Sequence, residues 1–371
     1  MERVVVVQPK RSVVDLPVYQ PGMSIADVKR VYGLDQVIKL ASNENPYGSS
    51  SKVKQAMLAE AEQLNLYPDG AAIDLTSAVA KHYQVEPNQI IFGAGSDDVI
   101  LMICRAYLVS GDETIMADQT FPQYKHNVEI EGAISIEVPM KDGTHDLEAM
   151  LQAVTEKTKI VWICNPNNPT GTIVSHQEIV SFMERIPSQV LVVLDEAYCE
   201  YVTDQEYPDV FKLLPAYNNL ITLRTFSKIY GLASLRIGYG IGAPEVIHTI
   251  NQVREPFNTT RMSQAAAIAA IEDQDFVQTC KVKNAEGIVY LQQAFERLHI
   301  QSFPAHGNFI MFDVKMPAKE MFELLLHEGY ITRAGHKLYP NHLRVTVGTK
   351  EENEGLIAAI ERILEKTKVT S

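Results

Sequence analysis

The sequence predicts an α/β protein with a mostly parallel central sheet and helices on both faces, joined to a smaller α+β domain. The first observation is a series of short apolar, β-rich runs that alternate with helical stretches between Gln89 and Gly242. Their apolarity is continuous rather than alternating, which marks strands buried on both faces, as in parallel sheets. The second is a change of texture after Pro256, where a long helical region leads to isolated strands separated by helices. The third is size: 371 residues, 46% hydrophobic and 21% charged, are ample for a large core and fit about two domains.

The first 35 or so residues carry little periodicity and are expected to form an arm packed with the second domain. The buried strands are read at Gln89–Phe92, Thr114–Ala117, Ile134–Val138, Lys159–Cys164, Val190–Leu194, Leu220–Leu223 and Ile237–Ile241. Beyond the long helical region, strands are expected at Phe309–Phe312, Tyr330–Thr332 and Leu343–Val347. In the last of these, Leu343, Val345 and Val347 alternate with Arg344 and Thr346, the pattern of a half-exposed strand. Thr349 and Glu352 form a capping box that starts a final helix, with Leu356, Ile357, Ile360 and Ile363 as its buried stripe. The expected division is a large domain over 36–255 and a smaller unit assembled from 1–35 and 256–371.

Composition excludes several functions. The net charge is −13 at pH 7 and no Lys/Arg-rich run occurs, which argues against a nucleic-acid partner. The longest apolar run, Ala265 to Ile271, is far shorter than the ~18 residues of a membrane helix, and the N-terminus lacks the flanks of a secretory signal. A cytoplasmic protein is therefore expected. The four cysteines form no C-x-x-C pair and read as buried small hydrophobes, and the histidines show no metal-ligand spacing, so no metal is expected.

In an open parallel sheet, ligands sit at the carboxyl ends of the strands. Four such ends carry chemistry here. Ile90–Phe92 runs into Gly93-Ala94-Gly95-Ser96-Asp97-Asp98 and then a helix, whose free N–H groups make an anion seat; a plain turn with Ser96 or Asp97 as N-cap is the simpler alternative. The strand ending at Cys164 leads to Asn165-Pro166-Asn167-Asn168-Pro169-Thr170-Gly171, with an amide held between two prolines. Val190–Leu194 delivers Asp195-Glu196-Ala197-Tyr198, and a carboxylate at the tip of an apolar strand needs a cation or a donor. Glu196 reads as a solvated loop acid or a helix-start charge. Leu220–Leu223 leads to Thr225-Phe226-Ser227-Lys228, with Arg236 at the start of the next apolar run.

One chemistry needs all of these together, that of pyridoxal 5'-phosphate. Its aldehyde needs a lysine, its pyridine nitrogen a carboxylate, its 3-oxygen donors such as Tyr and Asn, and its phosphate a helix start with Ser and Arg. Lys228, Asp195, Tyr198, Asn168, Ser96, Asp97, Ser227 and Arg236 supply that set. The motifs Ala41–Gly48, Tyr67-Pro68-Asp69-Gly70, Asn165–Gly171, Asp195–Tyr198, Thr225–Lys228 with Arg236–Tyr239, and His342–Thr349 appear in one order from 41 to 349. In this the chain resembles the histidinol-phosphate aminotransferase family of fold type I, pyridoxal-phosphate-dependent aminotransferases.

The resemblance implies roles position by position. Lys228 would hold the cofactor and move the proton, Asp195 would pair with the pyridinium, and Asn168 and Tyr198 would bond the 3-oxygen. Phe121 would stack on the ring, and Ser96, Asp97, Ser227 and Arg236 would cradle the phosphate. Arg344 would fork onto the substrate carboxylate, with Arg333, Tyr19 and Asn45 as further substrate contacts. The segment Ala334–Tyr339 departs from the family pattern. Tyr67 would reach a neighbouring active site in a homodimer. The implied reaction moves an amino group between L-histidinol phosphate and 2-oxoglutarate in histidine biosynthesis, with side activity on aromatic amino acids. The alternatives are a pyridoxal-phosphate-dependent phospho-amino-acid decarboxylase and an aromatic amino acid aminotransferase. Of the loop histidines, His306 and His336 are expected to be hydrogen-bonded rather than functional.

Overall fold

Apolar runs become strands here because both faces of the sheet are covered. The computed structural model describes residues 7–18 and 22–370. Its strands are β1 (Ile38–Lys39), β2 (Ile90–Gly93), β3 (Glu113–Ala117), β4 (Ile134–Val138), β5 (Thr158–Cys164) and β6 (Leu191–Asp195). They continue with β7 (Leu220–Thr225), β8 (Gly238–Gly242), β9 (Phe309–Asp313), β10 (Tyr330–Ile331) and β11 (His342–Thr346). Seven of them form one sheet in the order β2-β8-β7-β6-β5-β3-β4. Only β8 is antiparallel to its neighbours, so β2, β5, β6 and β7 all end at the same edge and β8 begins there.

Successive side chains of a strand point to opposite faces, and two clusters divide the sheet accordingly. Val161, Ile163, Val192 and Leu194 belong to one core, while Ile160, Trp162, Leu191 and Val193 belong to the other. A third core gathers Ile310, Phe312, Leu343 and Val345 of the antiparallel β9–β11 pair against Leu356, Ile357, Ile360 and Ile363 of the helix Lys350–Thr370. The capping box of that helix is present: the Thr349 N–H donates to Glu352 Oε2 (2.8 Å), and the Glu352 N–H donates to Thr349 Oγ1 (3.3 Å).

Two segments link the layers. β1 pairs in parallel with β10, joining residues 38 and 39 to the third core. The helix Arg261–Ile271 packs against the helices Ser51–Glu60 and Ile73–Tyr83, so the large layer receives residues beyond 256. In the N-terminal segment, Val28 packs on Leu326 and Ile331, whereas Ser12 donates to the Ile130 carbonyl on the large layer. Tyr19 lies outside the described residues.

β11 differs from the expected half-exposed strand. Arg344 is 8% exposed and Thr346 3%, because the face opposite the third core turns into the cleft between the layers instead of toward water.

Candidate active site

The shared strand edge brings the polar residues together. Ser96, Asp97, Phe121, Asn168, Asp195, Tyr198, Ser227, Lys228 and Arg236 line one cavity of about 190 Å³. At one end the helix Ser96–Tyr107 starts, and its N-cap is Gly95 with no side-chain cap. Neither Ser96 nor Asp97 takes the N-cap position, so the first N–H groups stay free for an anion. Arg236 closes this end: Nη1 donates to Ser227 Oγ (3.2 Å) and Nη2 lies 3.4 Å from Asp97 Oδ2. The approach is close enough that a Cβ on Gly95 would collide with the Arg236 guanidinium, and Gly95 also has φ +88°.

In the middle of the cavity, Asp195 is 3% exposed. Burial pushes its carboxyl up to about 6, opposed by a hydrogen bond from Tyr124 and one from the Ala197 N–H. The Tyr124 hydroxyl donates to Oδ2 at 2.6 Å and the Ala197 N–H to Oδ1 at 3.2 Å. Asp195 has no cationic partner among the described residues. Tyr198 receives a hydrogen bond from Asn43 Nδ2 (3.0 Å) and a longer one from Asn168 Nδ2 (3.4 Å).

Lys228 sits across the Tyr198 ring, Nζ 5.4 Å from its centroid, and donates to the Ser42 carbonyl (3.3 Å). Burial, and then the positive charge of Arg344, hold its amine down at about 8. An amine so depressed is far more often neutral, and so nucleophilic, than an ordinary lysine. Arg344 reaches in from β11, donating to Asn168 Oδ1 (2.5 Å) and to the Ala41 carbonyl (2.7 Å).

Other expected residues fall elsewhere. Arg333 lines a different cavity of about 400 Å³, whose wall includes Ala41 and Ser42, the residues whose carbonyls accept from Arg344 and Lys228. The structure does not bring Asn45 to the cavity: its amide donates to the Ile229 carbonyl (2.7 Å) and to Cys280 Sγ (3.3 Å), which pins the loop. Tyr67 is 78% exposed, outside the cavity and stacked on Phe257 at 4.7 Å. Glu196 is neither a loop acid nor a helix-start charge. It is fully buried and accepts from Thr222, Tyr207 and both Nε and Nη2 of Arg224. His336 Nε2 is buried without a partner, unlike the hydrogen-bonded state expected.

Two residues of the site escaped the sequence reading. Asn43 lies inside the Ala41–Gly48 motif, so the motif held the signal. Tyr124 follows Phe121 by one helical turn, and nothing local distinguishes it from a core aromatic.

The family model for aminotransferase class I and II matches residues 35–360. The chain is 52% identical over 358 residues to a histidinol-phosphate aminotransferase of Brevibacillus brevis, covering 96% of this chain and 98% of that protein. It is 51% identical over 357 residues to one of Bacillus subtilis strain 168, covering 96% and 99%. A solved histidinol-phosphate aminotransferase of Sinorhizobium meliloti in complex with pyridoxal-5'-phosphate superposes with a TM-score of 0.90, at 28% identity over 97% of this chain and 98% of that one. The chain belongs to the histidinol-phosphate aminotransferase family.

Among the described residues no helix is long and apolar enough to cross a membrane, and no group of three or more His, Cys, Asp or Glu side chains gathers to hold a metal.

Proposed function

We propose that this aminotransferase exchanges an amino group between L-histidinol phosphate and 2-oxoglutarate, with pyridoxal phosphate as its cofactor, in cytoplasmic histidine biosynthesis. The observation that carries the substrate is the near-full-length identity of about half to relatives of that name. The cofactor is supported by the chemistry of the donor set. A carboxylate 3% exposed and without a cation suits a protonated ring nitrogen, and the Gly95–Arg236 cradle suits a phosphate.

When bound, pyridoxal phosphate supplies the carbonyl that receives the amino group and a ring that accepts the electron pair of the broken C–H bond. The chain's own residues do the rest. Asp195 would hold the ring nitrogen protonated, Tyr198 and Asn168 would bond the 3-oxygen, and Phe121 would pack on the ring. Ser96, Asp97, Ser227 and Arg236 fix the phosphate. Lys228 would hold the cofactor's carbonyl through its amine and would carry the proton taken from the substrate carbon that bears nitrogen. Arg344 forks onto the anionic group of the substrate, with Arg333 beside it. The exposed apolar face around Tyr67, with Leu64, Leu66, Ile73 and Phe257, supports a homodimer in which Tyr67 reaches the neighbouring phosphate.

Steady-state assays test the reaction: glutamate should form in equal amounts to consumed histidinol phosphate, and CO₂ release without glutamate would overturn it. Borohydride reduction of the holoenzyme should fix the pyridoxyl group on Lys228; a label on another lysine would refute that role.

A further inference from the structure

Tyr67 stands on the surface as half of an aromatic pair. Its ring stacks at an interplanar angle of 18° on Phe257, which is itself 45% exposed. The Tyr67 hydroxyl has no hydrogen-bond partner among the described residues. An exposed side chain ordinarily exchanges rotamers freely in water, and this one is stacked in place instead. Phe257 reaches its position only in the left-handed region, at φ +56°, an unusual conformation for a bulky residue. Such strain persists where the surrounding structure holds it. Here the next residue, Asn258, donates Nδ2 to the Phe92 carbonyl (3.0 Å) and to Asp98 Oδ2 (3.1 Å). Gly70 leaves room for the ring, since a Cβ there would stand 3.3 Å from Phe257 Cε1.

The backbone beneath Tyr67 is held as well. Arg261, the first residue of the helix Arg261–Ile271, donates Nε to Glu60 Oε2 (2.9 Å), Nη2 to Gln63 Oε1 (2.8 Å) and Nη1 to the Tyr67 carbonyl (3.4 Å). One turn on, Gln264 donates Nε2 to the Asp69 carbonyl (2.9 Å) and to Thr259 Oγ1 (3.0 Å). A single amide thus joins the loop of Tyr67 to that of Phe257. The Asp69 carboxylate closes the turn by accepting from the N–H groups of Ala71 (2.9 Å) and Ile73 (2.7 Å). Ring and backbone of one exposed residue are therefore fixed from two sides, while the atom that can donate a hydrogen bond is left free.

We propose that Phe257 and Arg261 are positioning residues that hold the Tyr67 hydroxyl poised, before assembly, for the cofactor phosphate of a second copy of this chain. A hydroxyl that had to be ordered on docking would spend side-chain and loop entropy on its hydrogen bond, and a preformed one does not. Phe257 fixes the ring and Arg261 fixes the carbonyl at its base. Each acts through Tyr67 and therefore on the neighbour's site, not on the site of its own chain. The inference rests on the reading of Tyr67 as a residue that serves the neighbouring site.

The test reads how fast diluted holoenzyme loses pyridoxal phosphate, by the absorbance of the lysine-bound cofactor, with sedimentation reporting whether each variant is a dimer. Tyr67→Phe should release the cofactor about tenfold faster than wild type. Phe257→Ala and Arg261→Met should each release it about two- to tenfold faster, and Phe257→Tyr, which keeps the stack, should stay near the wild-type rate. In a Tyr67→Phe background neither change should add anything, because no hydroxyl remains to be placed. Hybrid dimers with Lys228→Ala on one chain leave a single lysine-bound cofactor. It should leave quickly when Phe257→Ala lies on the Lys228→Ala chain, and at the wild-type rate when Phe257→Ala lies on the chain that keeps Lys228. Unchanged release in Phe257→Ala or Arg261→Met, effects that persist without the Tyr67 hydroxyl, or equal rates in the two hybrids would overturn the proposal while leaving the role of Tyr67 intact. A monomeric wild type, or unchanged release in a dimeric Tyr67→Phe, would overturn the reading of Tyr67 and the proposal with it.

Discussion

Asp195 and Tyr124 form the most consequential contact made by a single side chain. The tyrosine is fully buried, stacked on Trp162 at 5.0 Å and 11°, and so cannot turn away from the carboxylate it serves. Its donated bond opposes the burial that raises Asp195 toward about 6. Tyr124→Phe should therefore raise the Asp195 carboxyl further and loosen its grip on a protonated ring. The expected result is cofactor affinity reduced by roughly tenfold, on the order of 1–2 kcal/mol, with the larger loss at the acid end of the range. Fluorescence titration of apoenzyme with pyridoxal phosphate across pH checks it, and a pH-independent loss would point to packing alone. Asp195 was conspicuous in the sequence because it ends an unbroken apolar strand, and Lys228 because it stands among hydroxyls and aromatics in the loop after β7. Tyr124 was not, since its role depends on a helix and a strand far apart in the chain meeting at one point. Glu196 misled for the same reason: a glutamate beside a strand end reads as solvated until its distant partner Arg224 is known.

Two neighbouring strands are locked together by that pair. Glu196 continues β6 and Arg224 lies in β7, and the guanidinium is covered by Tyr83 and Phe211 at 5.0 and 4.9 Å. The lock holds the ends of the strands that present Asp195 and Lys228. Glu196→Gln leaves a buried guanidinium without its counter-charge, so unfolding free energy should drop by about 3–5 kcal/mol. Urea denaturation measures this, and an unchanged midpoint would show that the pair contributes nothing net. The buried strands β2, β3, β5, β6, β7 and β8 were read from apolar runs to within two residues, because burial on both faces leaves a continuous apolar pattern; β4 was read as buried as well, yet it is an edge strand with Ile134 46% exposed, and the two-residue β1 was not read. β11 was read as half-exposed because period-two alternation reports only that alternate residues are polar. It does not tell water from a cleft in which those residues bind something.

At the scale of the molecule, a chain of net charge −13 is proposed to bind phosphates and carboxylates. Its general field opposes such ligands, so attraction has to be local, from Arg236, Arg333, Arg344 and one helix start at the seam between layers. The proposed second copy has its own surface: Leu64, Leu66 and Ile73 are 68%, 53% and 63% exposed beside Tyr67. A Leu64→Asp, Leu66→Asp double variant should sediment as a monomer and lose most activity even though both residues lie outside the cavity. Persistence of a dimer would place the interface elsewhere. The one reversed strand of the sheet has a further effect. Because β8 runs against β7 and Thr225 is paired with Gly238, the chain leaves the catalytic edge and returns to it within one clamped connection. Lys228 departs on the way out and Arg236 arrives on the way back. The connection is in effect a ruler: its length sets the span between the group proposed to grip the cofactor's carbonyl and the group proposed to grip its phosphate.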